Sequence, residues 1–247
     1  MQPEPISVTS EAASLPRKGR LLYEGRSKRV FETTDAERCI LEFKTHFVGT
    51  AGEGDPNAKP VWSVDVARHM FQYLESFRIP SHYVGTAGYG ELLAQRMDMI
   101  PIAVVARNIA YGKLCERFGI EEGRELDFPI VELVYRSAQH DNPILNESHI
   151  LAFGISTPEE IKTMTRIATK TNAVLRSFME RRHLRLIDLW LEFGRTNGEV
   201  RIGDAITPDT MRVVDHESGT IYDGTLYRLG IGNYRDQYAF LHKRLTS

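Results

Sequence analysis

The chain has 247 residues, 42% of them apolar, which is enough to bury a substantial core in one large domain or two packed lobes. Its 31 basic and 33 acidic side chains leave a net charge of -2, which excludes recruitment of nucleic acid or an anionic membrane by overall charge. Cys39 and Cys115 lack the spacing of a zinc site or a disulfide framework. We therefore expect a globular cytoplasmic protein that binds small molecules, and composition leaves a homo-oligomer open.

The amino-terminal residues 1–19 are predicted to be a flexible tail. They are polar, contain prolines and lack the apolar segment of a signal peptide. No run of about 18 apolar residues occurs later in the sequence, so no membrane span is predicted.

Residues 20–105 are predicted to form a small sheet lobe. The segments "RLLYEGRSKRVFET" and "RCILEFK" alternate apolar and polar residues around glycine and acidic turns, which favours an antiparallel meander. Apolar residues then recur at helical spacing from Ser63, a plausible cap, so a helix is predicted to cross this sheet. "MIPIAVVARN" is typical of a buried strand.

Residues 106–247 are predicted to form a larger mixed lobe. A capping box at Thr157 with Pro158 in the first turn indicates a long amphipathic helix. The order of elements predicts an α+β fold with a ligand cleft between two lobes. The remaining predicted elements are a short helix "YGKLCERFG", a strand "FPIVELVYR", a hairpin that joins "LRLIDLWLEFG" to "EVRIGDA", and a terminal helix "YRDQYAFLHKRL".

A glycine turn between the first two strands is a candidate phosphate loop. Gly25 is flanked by Arg26 and Lys28, so backbone N–H groups and two cations could cover a polyphosphate. The alternative is an ordinary hairpin turn, which glycine forms more often.

Four acids near the end of the chain are candidate metal ligands. Asp188 and Glu192 share one face of a predicted strand with Trp190, because alternate strand residues point the same way. Asp204 and Asp209 follow the next turn. Mg²⁺ takes one or two carboxylates beside phosphate and water, so Glu192 and Asp204 would suffice. The alternative is a hairpin with solvated acids.

Three cations are candidates for a second anion site. Arg107 ends a predicted buried strand, Lys113 begins a short helix, and Arg212 follows the acidic turn. Guanidinium and ammonium groups of this kind hold phosphate, whereas the alternative is a set of surface salt bridges.

Six segments in order resemble the SAICAR synthetase family over about residues 20 to 240. They are "LLYEGRSKRVFET", "MDMIPIAVVARN", "RFGIEEGRELDFPIVEL", "NPILNESHI", "LRLIDLWLEFG" and "GDAITPDTMRVVDHESG". The resemblance implies a two-lobed fold like that of ATP-grasp enzymes or kinases, with ATP and Mg²⁺ between the lobes. It also implies a carbon–nitrogen ligase that joins a carboxylated aminoimidazole ribonucleotide to aspartate through an acyl phosphate.

The resemblance assigns expected roles to individual residues. Gly25 and Lys28 match the phosphate loop, and Asp188 and Asp209 also match the family pattern. The other matches are Glu192 and Asp204 for metal and nucleotide, and Arg107 and Arg212 for the ribonucleotide.

Several positions depart from the family pattern. Trp190 stands where the family has a lysine between ATP and the reacting carboxylate, and Ala205 stands where it has a second acid. The family's Ala-Gly-Ser is Tyr111-Gly112-Lys113, and an acid of another loop is Asn142. Losing one preorganised charge stabiliser costs about 100- to 1,000-fold in rate, so several losses predict a changed reaction.

The sequence therefore predicts a diverged member of the family that acts on a phosphorylated aminoimidazole ribonucleotide. Asp188, Trp190 and Asp209 are its expected catalytic residues, and ATP-dependent aspartate ligation is expected to be weak or lost. Paralogues of this kind occur in coformycin- and pentostatin-type nucleoside-antibiotic biosynthesis, which is the expected pathway. Two alternatives remain: the purine-pathway ligase itself and a non-catalytic nucleotide-binding paralogue.

Overall fold

The computed structural model describes residues 15–44, 58–224 and 234–247. Most of the predicted tail, residues 1–14, lies outside the described residues, and the first strand already begins at Lys18. The strands are β1 (Lys18–Glu24), β2 (Lys28–Thr33), β3 (Arg38–Phe43), β4 (Tyr83–Gly88), β5 (Glu91–Gln95), β6 (Asp98–Ile109), β7 (Glu125–Tyr135), β8 (Ile144–Leu145), β9 (Leu184–Thr196), β10 (Glu199–Gly203), β11 (Met211–Asp215) and β12 (Ile221–Asp223). The helices are α1 (Ala58–Ser76), α2 (Lys113–Phe118), α3 (Glu147–Ala152), α4 (Pro158–Glu180) and α5 (Tyr234–Thr246).

The first sheet has five antiparallel strands in the order β1-β2-β3-β5-β4. Its amino-terminal meander is the one predicted from the alternating sequence. Helix α1 packs on β3, β4 and β5. This helix begins at Ala58, five residues before the predicted start, because a proline is tolerated in a first turn and Pro60 lies there. Ser63 is therefore not a cap: it is buried and hydrogen-bonds the Tyr238 hydroxyl at 2.7 Å.

The second sheet has seven strands, in the order β12-β11-β9-β6-β7-β8, with β10 paired to β9. Strand β6 belongs wholly to this sheet, so the chain passes from the first sheet to the second at residues 96–97. The predicted lobe boundary at residues 105 and 106 would instead divide β6. A continuous apolar run shows a buried strand without showing which sheet it joins.

One hydrophobic core spans both sheets and the long helices. It includes Phe71 of α1, Phe178 of α4, Phe193 of β9 and Tyr238 of α5, each at most 1% exposed. The capping box predicted for α4 is present: the Thr157 hydroxyl accepts from the Glu160 N–H, and the Glu160 carboxylate accepts from the Thr157 N–H. The α+β fold is confirmed. Among the described helices, none combines the length and apolar character needed to cross a membrane.

Candidate active site

A cleft of about 1610 Å³ lies between the two sheets. Its walls come from the β1–β2 turn, the β5–β6 connection, the cleft face of the second sheet and the loop after β7. All the site residues predicted from the sequence line it: Gly25, Arg26, Lys28, Arg107, Lys113, Asp188, Trp190, Glu192, Asp204, Asp209 and Arg212. The fold thus brings the predicted phosphate loop, acids and cations to one space.

The glycine turn is held in place by backbone and lysine contacts. The Gly25 N–H donates to the Lys28 carbonyl at 2.9 Å. Lys44 Nζ lies 2.7 Å from both the Gly25 carbonyl and a Glu24 carboxylate oxygen. A Cβ on Gly25 would lie 3.1 Å from the ring of exposed Tyr23, which would have to shift slightly to admit it. The loop is therefore fixed before any ligand binds.

Lys28 and Asp204 form an ion pair across the cleft. The Lys28 side chain is only 12% exposed, and burial lowers the pKa of its amine to about 8, against the raising effect of the Glu192 and Asp209 charges. Asp204 has a φ of 61°, which is uncommon for a residue with a side chain and indicates local strain. The predicted phosphate-loop lysine thus neutralises one of the predicted metal ligands.

Asp188, Trp190 and Glu192 line the cleft together, as the strand period of two predicts. The Trp190 indole Nε1 donates to Glu192 Oε1 at 3.2 Å. Arg136 Nη2 lies 2.7 Å from Glu192 Oε2. The indole is therefore fixed in a half-buried position on the cleft wall, and both carboxylate oxygens of Glu192 have partners from the protein.

The predicted metal ligands each contact a cation of the chain, Arg136 at Glu192 and Lys28 at Asp204. Within residues 15–44, 58–224 and 234–247, no three His, Cys, Asp or Glu side chains are grouped to hold a metal ion. Two carboxylates still meet what Mg²⁺ takes from a protein when phosphate and water supply the other ligands. Their role as metal ligands stays a prediction.

The Asp209 side chain is buried, and one of its carboxylate oxygens lies 3.3 Å from Lys59 Nζ. Both side chains are at most 7% exposed. This contact joins the first turn of α1 to the loop that precedes β11. Buried charges of this kind are stable only in pairs, so the Lys59 ammonium is the countercharge of the predicted catalytic Asp209.

The other end of the cleft is built on strand register. Arg107 of β6, Asp188 of β9 and Arg212 of β11 are direct cross-strand neighbours, so their side chains share the cleft face. Arg107 Nη1 donates to Asp188 Oδ2 at 3.0 Å, and Arg212 Nε donates to Asp188 Oδ1 at 2.9 Å. Burial lowers the pKa of Arg212, but the hydrogen bonds and charge of Asp188 outweigh it and raise this pKa above the usual value.

The segment Tyr111-Gly112-Lys113 borders this arginine pair. The Arg212 guanidinium lies 4.8 Å from the centre of the Tyr111 ring, a cation–π contact. Gly112 has a φ of 56°, which favours glycine, and a Cβ there would lie 3.0 Å from Arg212 Nη1. Lys113 lines the same cleft, but its ammonium pairs with exposed Asp141 at the surface.

Sequence reasoning missed three residues of this wall: Arg117, Glu132 and Arg136. Glu132 is buried and accepts from Arg107 Nε at 2.6 Å and from Arg117 Nη2 at 2.8 Å. A signal was present, because Glu132 is a lone acid in the apolar strand segment "FPIVELVY". A buried acid in such a run needs a cationic partner.

Two facing sheets enclose a cleft of paired arginines, lysines and carboxylates, an architecture typical of two-lobed enzymes with anionic small-molecule substrates. The sequence model of the SAICAR synthetase family matches residues 21–245, and the chain belongs to this family. It is thus a member of a family of carbon–nitrogen ligases, as the sequence motifs predicted.

Curated relatives match nearly the whole chain. A phosphoribosylaminoimidazole-succinocarboxamide synthase from Methanoculleus marisnigri is 36% identical over 229 residues, which cover 92% of this chain and 95% of the relative. One from Chlorobaculum parvum is 38% identical over 227 residues, covering 91% and 97%.

Solved structures agree with the family assignment. A SAICAR synthetase (Type-2) in complex with ADP has a TM-score of 0.82 and 33% identity, covering 92% of this chain and 97% of that one. The synthase from Ehrlichia chaffeensis has a TM-score of 0.84 at 28% identity, covering 92% and 98%. The predicted two-lobed fold is confirmed.

Proposed function

We propose that the chain is an ATP-dependent carbon–nitrogen ligase that joins a carboxylated aminoimidazole ribonucleotide to aspartate. The balanced reaction consumes ATP, the ribonucleotide and aspartate, and releases ADP, phosphate and the succinocarboxamide ribonucleotide. The observation that carries this proposal is the cross-strand set Arg107, Asp188 and Arg212, which presents two oriented guanidinium groups to the cleft. The names of the relatives and the ADP complex of one structural neighbour support it.

The proposed ribonucleotide site lies at the arginine end of the cleft, which is formed by Arg107 and Arg212 with the carboxylates Asp188 and Glu132. Guanidinium groups bind phosphate through paired, charge-assisted hydrogen bonds. Asp188 fixes both arginines by hydrogen bonds, so little side-chain entropy is lost when a phosphate arrives. In this proposal Asp188 and Asp209 hold cations in position, and the nucleotide carboxylate lies between the arginine end and the glycine turn.

The proposed ATP site lies at the glycine turn. Gly25, Arg26 and Lys28 supply a close backbone approach and two cations for a polyphosphate. Glu192 and Asp204 would hold Mg²⁺, which would neutralise phosphate charge in the site. Lys28 and Arg136 already contact these carboxylates, so the metal would share Asp204 and Glu192 with two cations of the chain.

A second candidate function is a derived reaction on the same ribonucleotide with weak or absent ATP use. One observation favours it: Trp190 replaces a cation on the cleft wall, and its ring is fixed there by the bond to Glu192. An uncharged ring cannot neutralise the developing phosphate charge that the family's lysine meets. This candidate predicts ATP affinity weaker than micromolar. The relatives give no support to the narrower expectation of nucleoside-antibiotic biosynthesis.

One incubation separates the candidates. The purified chain is mixed with the carboxylated aminoimidazole ribonucleotide, aspartate, ATP and Mg²⁺, and products are identified by mass spectrometry with each component omitted in turn. A product containing aspartate, formed together with ADP, supports the ligase. A product that forms without aspartate or ATP supports the derived reaction, and a ribonucleotide that binds without turnover would indicate a non-catalytic paralogue.

A further inference from the structure

A row of arginines and carboxylates crosses the cleft face of the second sheet and continues onto α2. Glu132 accepts from Arg117 through Oε1 at 2.8 Å and from Arg107 through Oε2 at 2.6 Å. Asp188 then accepts from Arg107 at 3.0 Å and from Arg212 at 2.9 Å. Three guanidinium groups are therefore joined by two carboxylates, and each carboxylate orients two of them.

In every pair of this row the arginine lies nearer to solvent than its carboxylate. The side chains of Arg117, Arg107 and Arg212 are 34%, 11% and 19% exposed, whereas those of Glu132 and Asp188 are 7% and 9% exposed. The carboxylates thus lie behind the guanidinium groups. An anion in the cleft meets the cations first, and Arg117 offers it the largest accessible surface of the three.

We infer that Arg117 is a third guanidinium of the phosphate site and that Glu132 is the residue that positions it beside Arg107. The ligand class is a phosphate monoester, which carries up to two charges and three terminal oxygens that accept hydrogen bonds. Two arginines on the two oxygens of one carboxylate lie close enough to contact one phosphate. This inference rests on the proposed function for the identity of the phosphate-bearing substrate.

A purely structural role for Arg117 would be to close α2, where its Nε donates to the Lys113 carbonyl at 3.1 Å. That bond uses only Nε, and Glu132 takes only one hydrogen of Nη2. Glu132 already has Arg107 as a countercharge, so its burial does not require a second guanidinium. The second cation instead increases the positive charge at the cleft wall.

The test is calorimetric binding of ribose 5-phosphate and of ribose to the whole chain and to Arg117→Gln. The matched control is Arg185→Gln, because Arg185 is also a partly exposed arginine paired with one glutamate, Glu125, and it does not line the cleft. We expect Arg117→Gln to weaken ribose 5-phosphate binding at least about tenfold, the scale of a lost charge-assisted bond, and Arg185→Gln to leave it unchanged. Equal affinities of Arg117→Gln and the unsubstituted chain would overturn the inference, as would failure of ribose 5-phosphate to bind.

Glu132→Gln tests the positioning role. We expect it to weaken ribose 5-phosphate binding and to shrink the further effect of Arg117→Gln, because the two residues act through one contact. If Glu132→Gln lowers the thermal midpoint of unfolding without any loss of ribose 5-phosphate affinity, Glu132 has only a structural role, and the positioning role is contradicted. If Arg117→Gln does not fold, Arg117→Lys is the second variant, because it keeps the charge without the paired donors of a guanidinium. It should still bind ribose 5-phosphate less tightly than the unsubstituted chain.

The inference and the proposed function fail in different ways. If ribose 5-phosphate binds and depends on Arg117, but the carboxylated aminoimidazole ribonucleotide binds no better, the phosphate site stands and the proposed substrate is wrong. If that ribonucleotide is turned over equally well by Arg117→Gln at low substrate concentration, the proposed function stands and the role of Arg117 is wrong.

Discussion

The two ends of the cleft use the same kinds of side chain in opposite arrangements. At the arginine end, the carboxylates of Glu132 and Asp188 lie behind the guanidinium groups that they orient. At the glycine-turn end, Lys28 pairs across the cleft with Asp204, and Glu192 bonds both Trp190 and Arg136. The arginine end therefore presents oriented guanidinium groups to the cleft, whereas the cations and carboxylates of the glycine-turn end contact one another.

This difference suggests where the chain keeps the chemistry of its family and where it departs from it. Arg107, Asp188 and Arg212, which the sequence resemblance predicts to match the family pattern, are aligned by strand register. The predicted departures, Trp190 and Ala205, are neighbours of Glu192 and Asp204, the predicted metal ligands, which contact Arg136 and Lys28. Substitutions at the two ends should therefore have separable effects on ribonucleotide and ATP binding.

The largest effect is expected for Arg107→Ala. It removes a guanidinium that contacts both Glu132 and Asp188, and loss of one partner of a buried ion pair costs about 3 to 5 kcal/mol of stability. Ribonucleotide affinity should fall at least about tenfold, measured by calorimetry on the folded variant. Arg176→Ala, on the exposed face of α4, is the control. Unchanged ribonucleotide affinity would remove the arginine end from the binding site.

A pH effect is expected at the glycine turn. The amine of Lys28 has an ordinary pKa of 10.5 in the unfolded chain and about 8 in the folded one. Between these values the unfolded state binds more protons, so the free energy of unfolding rises with pH, by about 3 kcal/mol in full. Below pH 8 the cost of burying the charged amine is fully present.

Chemical denaturation at pH 7.5 and pH 9.5 measures this effect by comparing the chain with Lys28→Met. The variant lacks the titrating amine and should show a smaller gain in stability over this interval. The side chain of Lys28→Arg stays charged, so its free energy of unfolding should change with pH as that of Lys28→Met does. Identical slopes for all three proteins would mean that the Lys28 amine keeps its ordinary pKa, and the glycine-turn end would then be less desolvated than its ion pair indicates.

The sequence predicted the parts of this site that follow from local periodicity. Asp188, Trp190 and Glu192 share the cleft because alternate residues of β9 face the same way, and the glycine turn follows from Gly25 between two strands. Contacts that depend on which strands pair were not predictable. Glu132 meets Arg107 only because β7 lies beside β6, and Arg136 reaches Glu192 from the end of β7.

A smaller effect is expected at Trp190, which marks the difference between the two ends most directly. Trp190→Phe keeps a ring but loses the bond to Glu192, so the fold should persist and turnover should fall modestly. A base stacked on an aromatic side chain contributes about 1 to 3 kcal/mol in nucleic-acid sites, a loose guide to this ring. Steady-state kinetics with ATP and the ribonucleotide measure the change.

Trp190→Lys restores the family's residue at the same position. For the derived reaction we expect this variant to lose activity without gaining full ligation, because Ala205 and Lys113 remain. Full ATP-dependent aspartate ligation in Trp190→Lys alone would show that the glycine-turn end differs from the ligase by one residue. In that case the contrast between the two ends would depend on Trp190 and not on the surrounding ion pairs.

The smallest effect is expected for Lys113→Ser, which restores the family's residue at the arginine end. The sequence predicts Lys113 as a phosphate ligand, but its ammonium pairs with Asp141 at the surface, where the two side chains are 60% and 83% exposed. Exposed ion pairs are screened by solvent and salt, so ribonucleotide affinity should change within about threefold, with a thermal midpoint close to that of the unsubstituted chain.

Calorimetry at low and high salt checks this, with Asp141→Asn as the matched variant that frees the ammonium. If Lys113→Ser instead weakens binding tenfold while Asp141→Asn strengthens it, Lys113 leaves Asp141 to bind the phosphate, and the arginine end is then completed by a mobile lysine instead of by guanidinium groups alone.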